Sequence, residues 1–139
     1  MQFAIILLHL LTIMGLTYAK IKLSNPRKPE LKSVEVNSLV DSGALFMSIT
    51  ETVLIQLELE ELEKRSVKID DGSIKSVPFV GPIRIDFENR FCFTGAMVLG
   101  DEPLLGAVPM EELDVILHPA SRKLVVNPEH PNVPQYIMY

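Results

Sequence analysis

Apolar and polar residues alternate along much of this 139-residue chain, and a period of two is typical of half-buried β-strands. In residues 17–23, Ala19, Ile21 and Leu23 are expected to face the core, while the residues between them face solvent. Residues 34–40 alternate in the same way. The prolines between the two runs indicate a turn, because proline removes a backbone donor. The two runs therefore predict the first two strands of a sheet.

A long hairpin is predicted over residues 66–87, with apolar residues on both arms. Its four-residue tip is Asp70, Asp71, Gly72 and Ser73. An Asp-Gly pair between two such arms is a strong hairpin signal. Gly81 and Pro82 are expected to interrupt the second arm before a separate strand at residues 83–87.

Short strands separated by turns continue to residue 126. The expected elements are a strand at 91–99, a loop at 100–103, a return to the core at 104–107, a helical turn at 109–113, and a closing hairpin of 115–117 with 123–126. A helix is predicted where Ser48, Ile49, Thr50 and Glu51 resemble a capping box, and the pattern leaves open whether residues 58–64 prolong it. The sum predicts an all-β, barrel-like domain with one or two short helices.

Composition supports a single globular domain, since hydrophobic residues make up 47% of the chain and charged residues 22%. The net charge of −5 and the lack of a large Lys/Arg cluster argue against a nucleic-acid partner. Cys92 is the single cysteine, so an internal disulfide and a cysteine-based metal site are excluded. Between Phe91 and Phe93, it is predicted to be a buried, inert thiol.

The N-terminal residues 1–13 are almost wholly apolar and carry neither lysine nor arginine. A signal peptide accounts for the apolar run but would need a positively charged start, and a membrane anchor ending at Ala19 would be short. The preferred interpretation is that translation begins at Met14, because cleavage after Ala19 would cut into the first strand. The lack of a disulfide agrees with a cytoplasmic location. A membrane-anchored or exported protein is expected only if residues 1–19 act as a targeting segment.

The candidate chemistry lies at Asp41, which directly follows the apolar pair Leu39-Val40 and opens a short turn. The turn consists of Asp41, Ser42, Gly43 and Ala44. A carboxylate held at the end of a buried strand by a Ser-Gly turn is what aspartic proteolysis requires. By itself the turn has a plainer interpretation, because Asp and Ser side chains also close turns on the backbone. The chain carries this segment once, so if the turn is a catalytic motif, the second carboxylate must come from another copy of the chain.

The order of these features resembles the retropepsin-like aspartic proteases, in particular the small single-domain members found in prokaryotes. The features are the Asp-Ser-Gly-Ala turn after a strand, the glycine-tipped hairpin, and the triplet Leu104, Leu105 and Gly106 before a helical turn. The resemblance covers about residues 15–126. It implies a closed β-barrel of the acid-protease type with a short helix at about residues 50–57. The hairpin tip departs from retroviral relatives, since it has two aspartates and one glycine instead of a glycine-rich sequence.

The resemblance also implies a role for each matching residue. Asp41 would be the catalytic carboxylate, Ser42 would brace the two active-site loops across a dimer axis, Gly43 would leave the carboxylate unobstructed, and Ala44 would pack behind it. Asp70, Asp71, Gly72 and Ser73 would form the tip of a flap over the cleft. Leu104, Leu105 and Gly106 would pack under the active-site loop.

Activity is therefore predicted to belong to a homodimer that hydrolyses peptide or protein substrates and needs no metal or cofactor. The alternative is a dimeric binding or regulatory module of the same fold, with little or no proteolysis. The predicted domain limits are an extension at 1–13, the protease domain at 14–126 and a tail at 127–139. Membrane association is expected only through residues 1–13. The tail's apolar end, residues 136–139, either forms dimer contacts or is unanchored.

Overall fold

Nine strands and two short helices make up residues 16–139, the part of the chain that the computed structural model describes. The strands are β1 (Thr17–Ser24), β2 (Val34–Val40), β3 (Met47–Ile49), β4 (Glu60–Lys68), β5 (Ile74–Phe87), β6 (Arg90–Val98), β7 (Leu104–Leu105), β8 (Val115–His118) and β9 (Lys123–Val126). The helices are α1 (Glu51–Gln56) and α2 (Ala107–Leu113).

Six of the strands form a closed barrel. They follow one another in the order β1-β2-β7-β3-β6-β5, and β5 pairs back with β1 to close the ring. β4 adds to β5 outside this ring, so the β4–β5 hairpin extends from the barrel. β8 and β9 form a separate two-stranded sheet. The predicted all-β barrel with one or two short helices is therefore confirmed, and the helices are two.

The barrel core is built from the alternating positions of the strands. In β1, Ile21 and Leu23 are 1% and 0% exposed, and their neighbours Lys20 and Lys22 face solvent. Ile83 and Ile85 on β5 are completely buried in the same way. Burying such side chains is the main favourable contribution to folding, at about 1.5–3 kcal/mol each.

β7 is the strand that positions the candidate site. It pairs parallel with β2, with Leu104 opposite Leu39 and Leu105 opposite Val40. On its other side Leu104 lies opposite Ser48 of β3 in an antiparallel pair. The chain between β2 and β3, which contains Asp41, must therefore pass over the end of β7.

Three expectations about local structure needed correction or were left open. The cap of α1 is Thr50 and not Ser48, because Thr50 Oγ1 accepts a hydrogen bond from the Val53 N–H (3.3 Å) while Ser48 belongs to β3. The prediction of a break at Gly81-Pro82 was wrong: β5 runs through this pair with an irregularity in its pairing to β6. The sequence pattern left open whether residues 58–64 prolong the helix. They do not, because β4 begins at Glu60.

The C-terminal tail is anchored to the end of α2 through Asp114, the residue that caps this helix. His130 Nδ1 lies 2.8 Å from one carboxylate oxygen, which also accepts the Gln135 N–H at 3.0 Å. Asn127 donates to the other oxygen at 3.1 Å. The Tyr136 hydroxyl donates to a backbone carbonyl of α2. The tail is thus held as far as Tyr136, and the last three residues are exposed.

The expectations for residues 1–13 lie outside the described residues, and the domain limits stay predictions. From residue 16 to the C-terminus, no helix has the length and apolar character needed to cross a membrane.

Candidate active site

The Asp41 turn is held by backbone hydrogen bonds to β7. The Asp41 N–H donates to the carbonyl of Leu105 at 3.0 Å, which fixes the point where β2 ends. Inside the turn, Asp41 Oδ1 accepts the Gly43 N–H at 2.8 Å, and the Asp41 carbonyl accepts the Ala44 N–H at 3.2 Å. A carboxylate that accepts an N–H two residues ahead is an Asx turn. The side chain remains exposed at the barrel edge while its orientation is fixed.

The Leu104-Leu105-Gly106 segment packs directly against this turn. The N–H groups of Ala107 and Val108 donate to the carbonyls of Ala44 and Leu45 at 2.8 and 2.9 Å. A Cβ atom at Gly106 would lie 2.4 Å from the Phe46 carbonyl oxygen and 2.8 Å from that of Ala44. Only glycine allows so close an approach of two backbones. The structure therefore brings together the two segments that the family resemblance implied would pack against each other.

The remaining residues of the turn differ in exposure. Ser42 and Gly43 are exposed, and Ala44 is half-buried. Ser42 also borders a shallow apolar depression formed with α2 and β8, which includes Met110 and Ile116. The Ser42 hydroxyl therefore lies on an open face and not in the barrel core.

The hairpin tip has the conformation that its sequence predicts. The Gly72 N–H donates to the Ile69 carbonyl at 2.8 Å, and the Ile69 N–H donates to the Ser73 carbonyl at 3.0 Å. Gly72 has a φ of 85°, a left-handed conformation that glycine adopts without steric cost. The Ser73 hydroxyl and its N–H, which is 2.8 Å from Asp71 Oδ1, hold the pKa of Asp71 well below its ordinary value. Asp71 thus closes the turn as an ionised carboxylate.

A cleft of about 440 Å³ separates the Asp41 turn from the hairpin. Asp41, Gly43, Ala44 and Leu104 line one side, with Leu99 and Gly100 beside them, and Lys68, Ile69, Asp70 and Lys75 line the hairpin side. Neither lysine was predicted from the sequence to lie at the site. Once the turn at 70–73 is placed, however, each lysine lies two residues outside it, so their presence beside the tip was readable from the sequence.

The cleft contains carboxylates, amines and apolar surface. Over the described residues 16–139, no three His, Cys, Asp or Glu side chains come together as a metal ion would require. The ionisable groups that line the cleft are the carboxylates of Asp41 and Asp70 and the amines of Lys68 and Lys75.

Comparison with proteins of known structure identifies the type of fold. EIAV protease in complex with the inhibitor HBY-793 superposes with a TM-score of 0.54, over 73% of this chain and 90% of that chain, at 18% sequence identity. The fold is retropepsin-like. At this identity the similarity shows the fold alone, so the fold implied by the resemblance is confirmed, and the assignment to the small single-domain members stays a prediction. No family model matches the sequence, and no curated protein does.

Proposed function

We propose that this retropepsin-fold chain is an aspartic endopeptidase of the small single-domain type, active as a homodimer with Asp41 from each copy. One observation carries the proposal. An exposed carboxylate, oriented by its own turn and pinned to β7 through the Leu105 carbonyl, lies in a cleft beneath a projecting hairpin. Such a cleft leaves space for an extended peptide between the carboxylate and the hairpin.

The chemistry follows from bringing two such carboxylates together. Two carboxylates about 3 Å apart cannot both ionise, so the pair shares one proton and titrates as a unit. The ionised member then takes a proton from a bound water, and the protonated member donates a hydrogen bond to the carbonyl of the peptide bond. Asp41 is the residue we assign to both positions, one from each copy, with no metal or cofactor required.

The two-fold axis of this dimer would pass between the Asp41 turns. A symmetric interface places the same surface of each copy against the other. Ser42 is exposed next to Asp41 and is the residue proposed to brace the two turns across the axis. Gly43 and Ala44 support the turn, Leu104, Leu105 and Gly106 support it from below, and Asp70, Asp71, Gly72 and Ser73 form the proposed flap tip.

The decisive experiment compares the wild type with Asp41→Asn and with a matched control, Asp101→Asn. Asp101 is an exposed carboxylate in a loop outside the turn and outside the lining of the cleft. Gel filtration gives the oligomeric state, and cleavage of a peptide library is measured as a function of pH. We expect cleavage by the dimeric wild type and by Asp101→Asn, and no cleavage by a dimeric Asp41→Asn protein.

Cleavage that survives in Asp41→Asn, or in a protein that is monomeric in the assay, contradicts the proposal. A wild-type dimer that binds peptides without cleaving them, and still binds them as Asp41→Ala, would support the binding-module alternative instead.

A further inference from the structure

Arg65 joins three separate segments of the chain by stacking on aromatic rings. Its guanidinium carbon lies 3.5 Å from the ring centre of Phe79 and 5.5 Å from that of Phe46. Arg65 belongs to β4, Phe79 to β5, and Phe46 to the segment that leads from the Asp41 turn into β3. A planar guanidinium prefers this position over an aromatic face, because the ring's negative face attracts the positive charge.

The stack is fixed in place from two sides. On one side the tip of the Phe79 ring lies against Gly95, where an added Cβ would come within 2.0 Å of the ring. On the other side Glu63 Oε1 accepts the Nε–H of Arg65 at 2.7 Å, which sets the rotation of the guanidinium. The Arg65 side chain is 33% exposed, so solvent reaches only part of it. These contacts leave the guanidinium little freedom to move.

The stack lies at the boundary between the fixed barrel and the projecting hairpin. Residues 66–76 beyond it are mostly exposed. Phe46, in contrast, is held firmly, because its carbonyl lies against Gly106 under the Asp41 turn. Arg65 therefore connects the base of the hairpin to the segment that carries Asp41.

We propose that Arg65 is a positioning residue for the proposed peptidase reaction: stacked on Phe79 and Phe46, it sets the height of hairpin 66–76 over the Asp41 cleft. The reaction named in this inference rests on the proposed function. The effect of the stack on the hairpin does not depend on it.

The test compares Arg65→Met with Arg65→Lys and with a matched control on the same strand, Lys64→Met. Lys64 is 59% exposed and pairs with Glu61 at 2.9 Å, without an aromatic contact among the described residues. Hydrogen exchange is measured at the Ile69 and Gly72 amides, which hold the turn, together with kcat and KM.

In Arg65→Met we expect exchange at these amides to rise roughly fivefold, the factor that matches loss of one partly exposed cation–π contact. We expect kcat/KM to fall roughly 10- to 100-fold, because catalysis is sensitive to small misplacements of groups around the substrate. Lys64→Met should leave exchange and kcat/KM unchanged. Arg65→Lys keeps the charge but lacks the planar guanidinium, so its amide exchange and its kcat/KM should lie between those of the wild type and those of Arg65→Met. If Arg65→Met does not fold, Arg65→Lys serves as the test variant.

Unchanged hairpin exchange in a folded Arg65 variant overturns the inference. A rise in KM with unchanged exchange also overturns it, since Arg65 would then act by touching the substrate. If exchange rises as expected but the wild type cleaves no peptide, the positioning of the hairpin stands and the proposed peptidase function fails.

Discussion

Gly106 offers the sharpest test of how the candidate site is built, because its backbone lies against the Asp41 turn. A Cβ atom there would meet three backbone atoms of the opposing segment: the Phe46 oxygen at 2.4 Å, the Ala44 oxygen at 2.8 Å and the Leu45 carbonyl carbon at 2.9 Å. Backbone atoms cannot rotate aside as a side chain can. The substitution Gly106→Ala must therefore push the Asp41 turn away from β7.

The expected cost follows from this geometry. Overpacking by one methyl group costs about 1–3 kcal/mol of folding stability. Because the added methyl group would make three contacts below 3.0 Å, its cost should lie at the upper end of that range. The φ of −93° at Gly106 suits alanine, so no backbone strain is added. Removing a glycine from the unfolded chain returns about 0.4–1 kcal/mol. The net loss is about 2 kcal/mol, or roughly 5–10 °C in Tm for a domain of this size.

The control is Gly100→Ala, where an added Cβ meets nothing within 4 Å but φ is +82°. That variant should lose only about 1 kcal/mol, from the left-handed conformation. Both variants are measured by thermal and urea unfolding, and Gly106→Val is expected to be less stable than Gly106→Ala. If Gly106→Ala is as stable as Gly100→Ala, the segment after β7 does not pack as closely against the Asp41 turn as this reasoning requires.

Two further predictions concern ionisable groups outside the cleft. Burial alone raises the pKa of Asp114, but hydrogen bonds from Gln135, Asn127 and His130 together hold it below its ordinary value. The stabilisation from the ionised carboxylate is present above pH ~4 and is lost as pH falls through the lowered pKa. Asp114→Asn should therefore be less stable than the wild type at pH 7, and the two proteins should become equally stable in acid. Urea unfolding at a series of pH values measures this difference. Equal stability of the two proteins at pH 7 would refute this. Burial raises the pKa of Cys92 to about 12, so a thiol reagent at pH 8 should react with native protein on the order of a thousandfold more slowly than with urea-unfolded protein. Similar rates would mean that the thiol is not buried.

Much of the local structure was predictable from the sequence, because it depends on near neighbours. The alternation in residues 17–23 and 34–40 gave two strands that the structure confirms. The Asp-Gly turn at 70–73 was predicted for the same reason, since Gly72 needs a left-handed conformation that glycine supplies. The errors were also local: Thr50 competes with Ser48 as a helix cap, and a strong Gly-Pro break signal did not prevent β5 from continuing through the barrel wall.

Contacts between distant segments were decided only by the tertiary structure. No sequence signal indicated that Arg65 stacks on Phe79 and Phe46, or that His130 and Asp114 together hold the tail. Such pairs depend on how the strands are ordered in the closed barrel, and that order is set by the packing of the whole core.

By itself, the sequence determined that a carboxylate ends a buried strand, that a tight hairpin follows, and that the strands alternate as a barrel requires. These properties follow from side-chain periodicity and turn conformation, which act over a few residues. The tertiary structure decided that β7 lies between β2 and β3, so that Leu105 and Gly106 hold the Asp41 turn at the edge of a cleft beneath the hairpin. That arrangement depends on backbone hydrogen bonds between segments more than sixty residues apart, which only the closed barrel brings together.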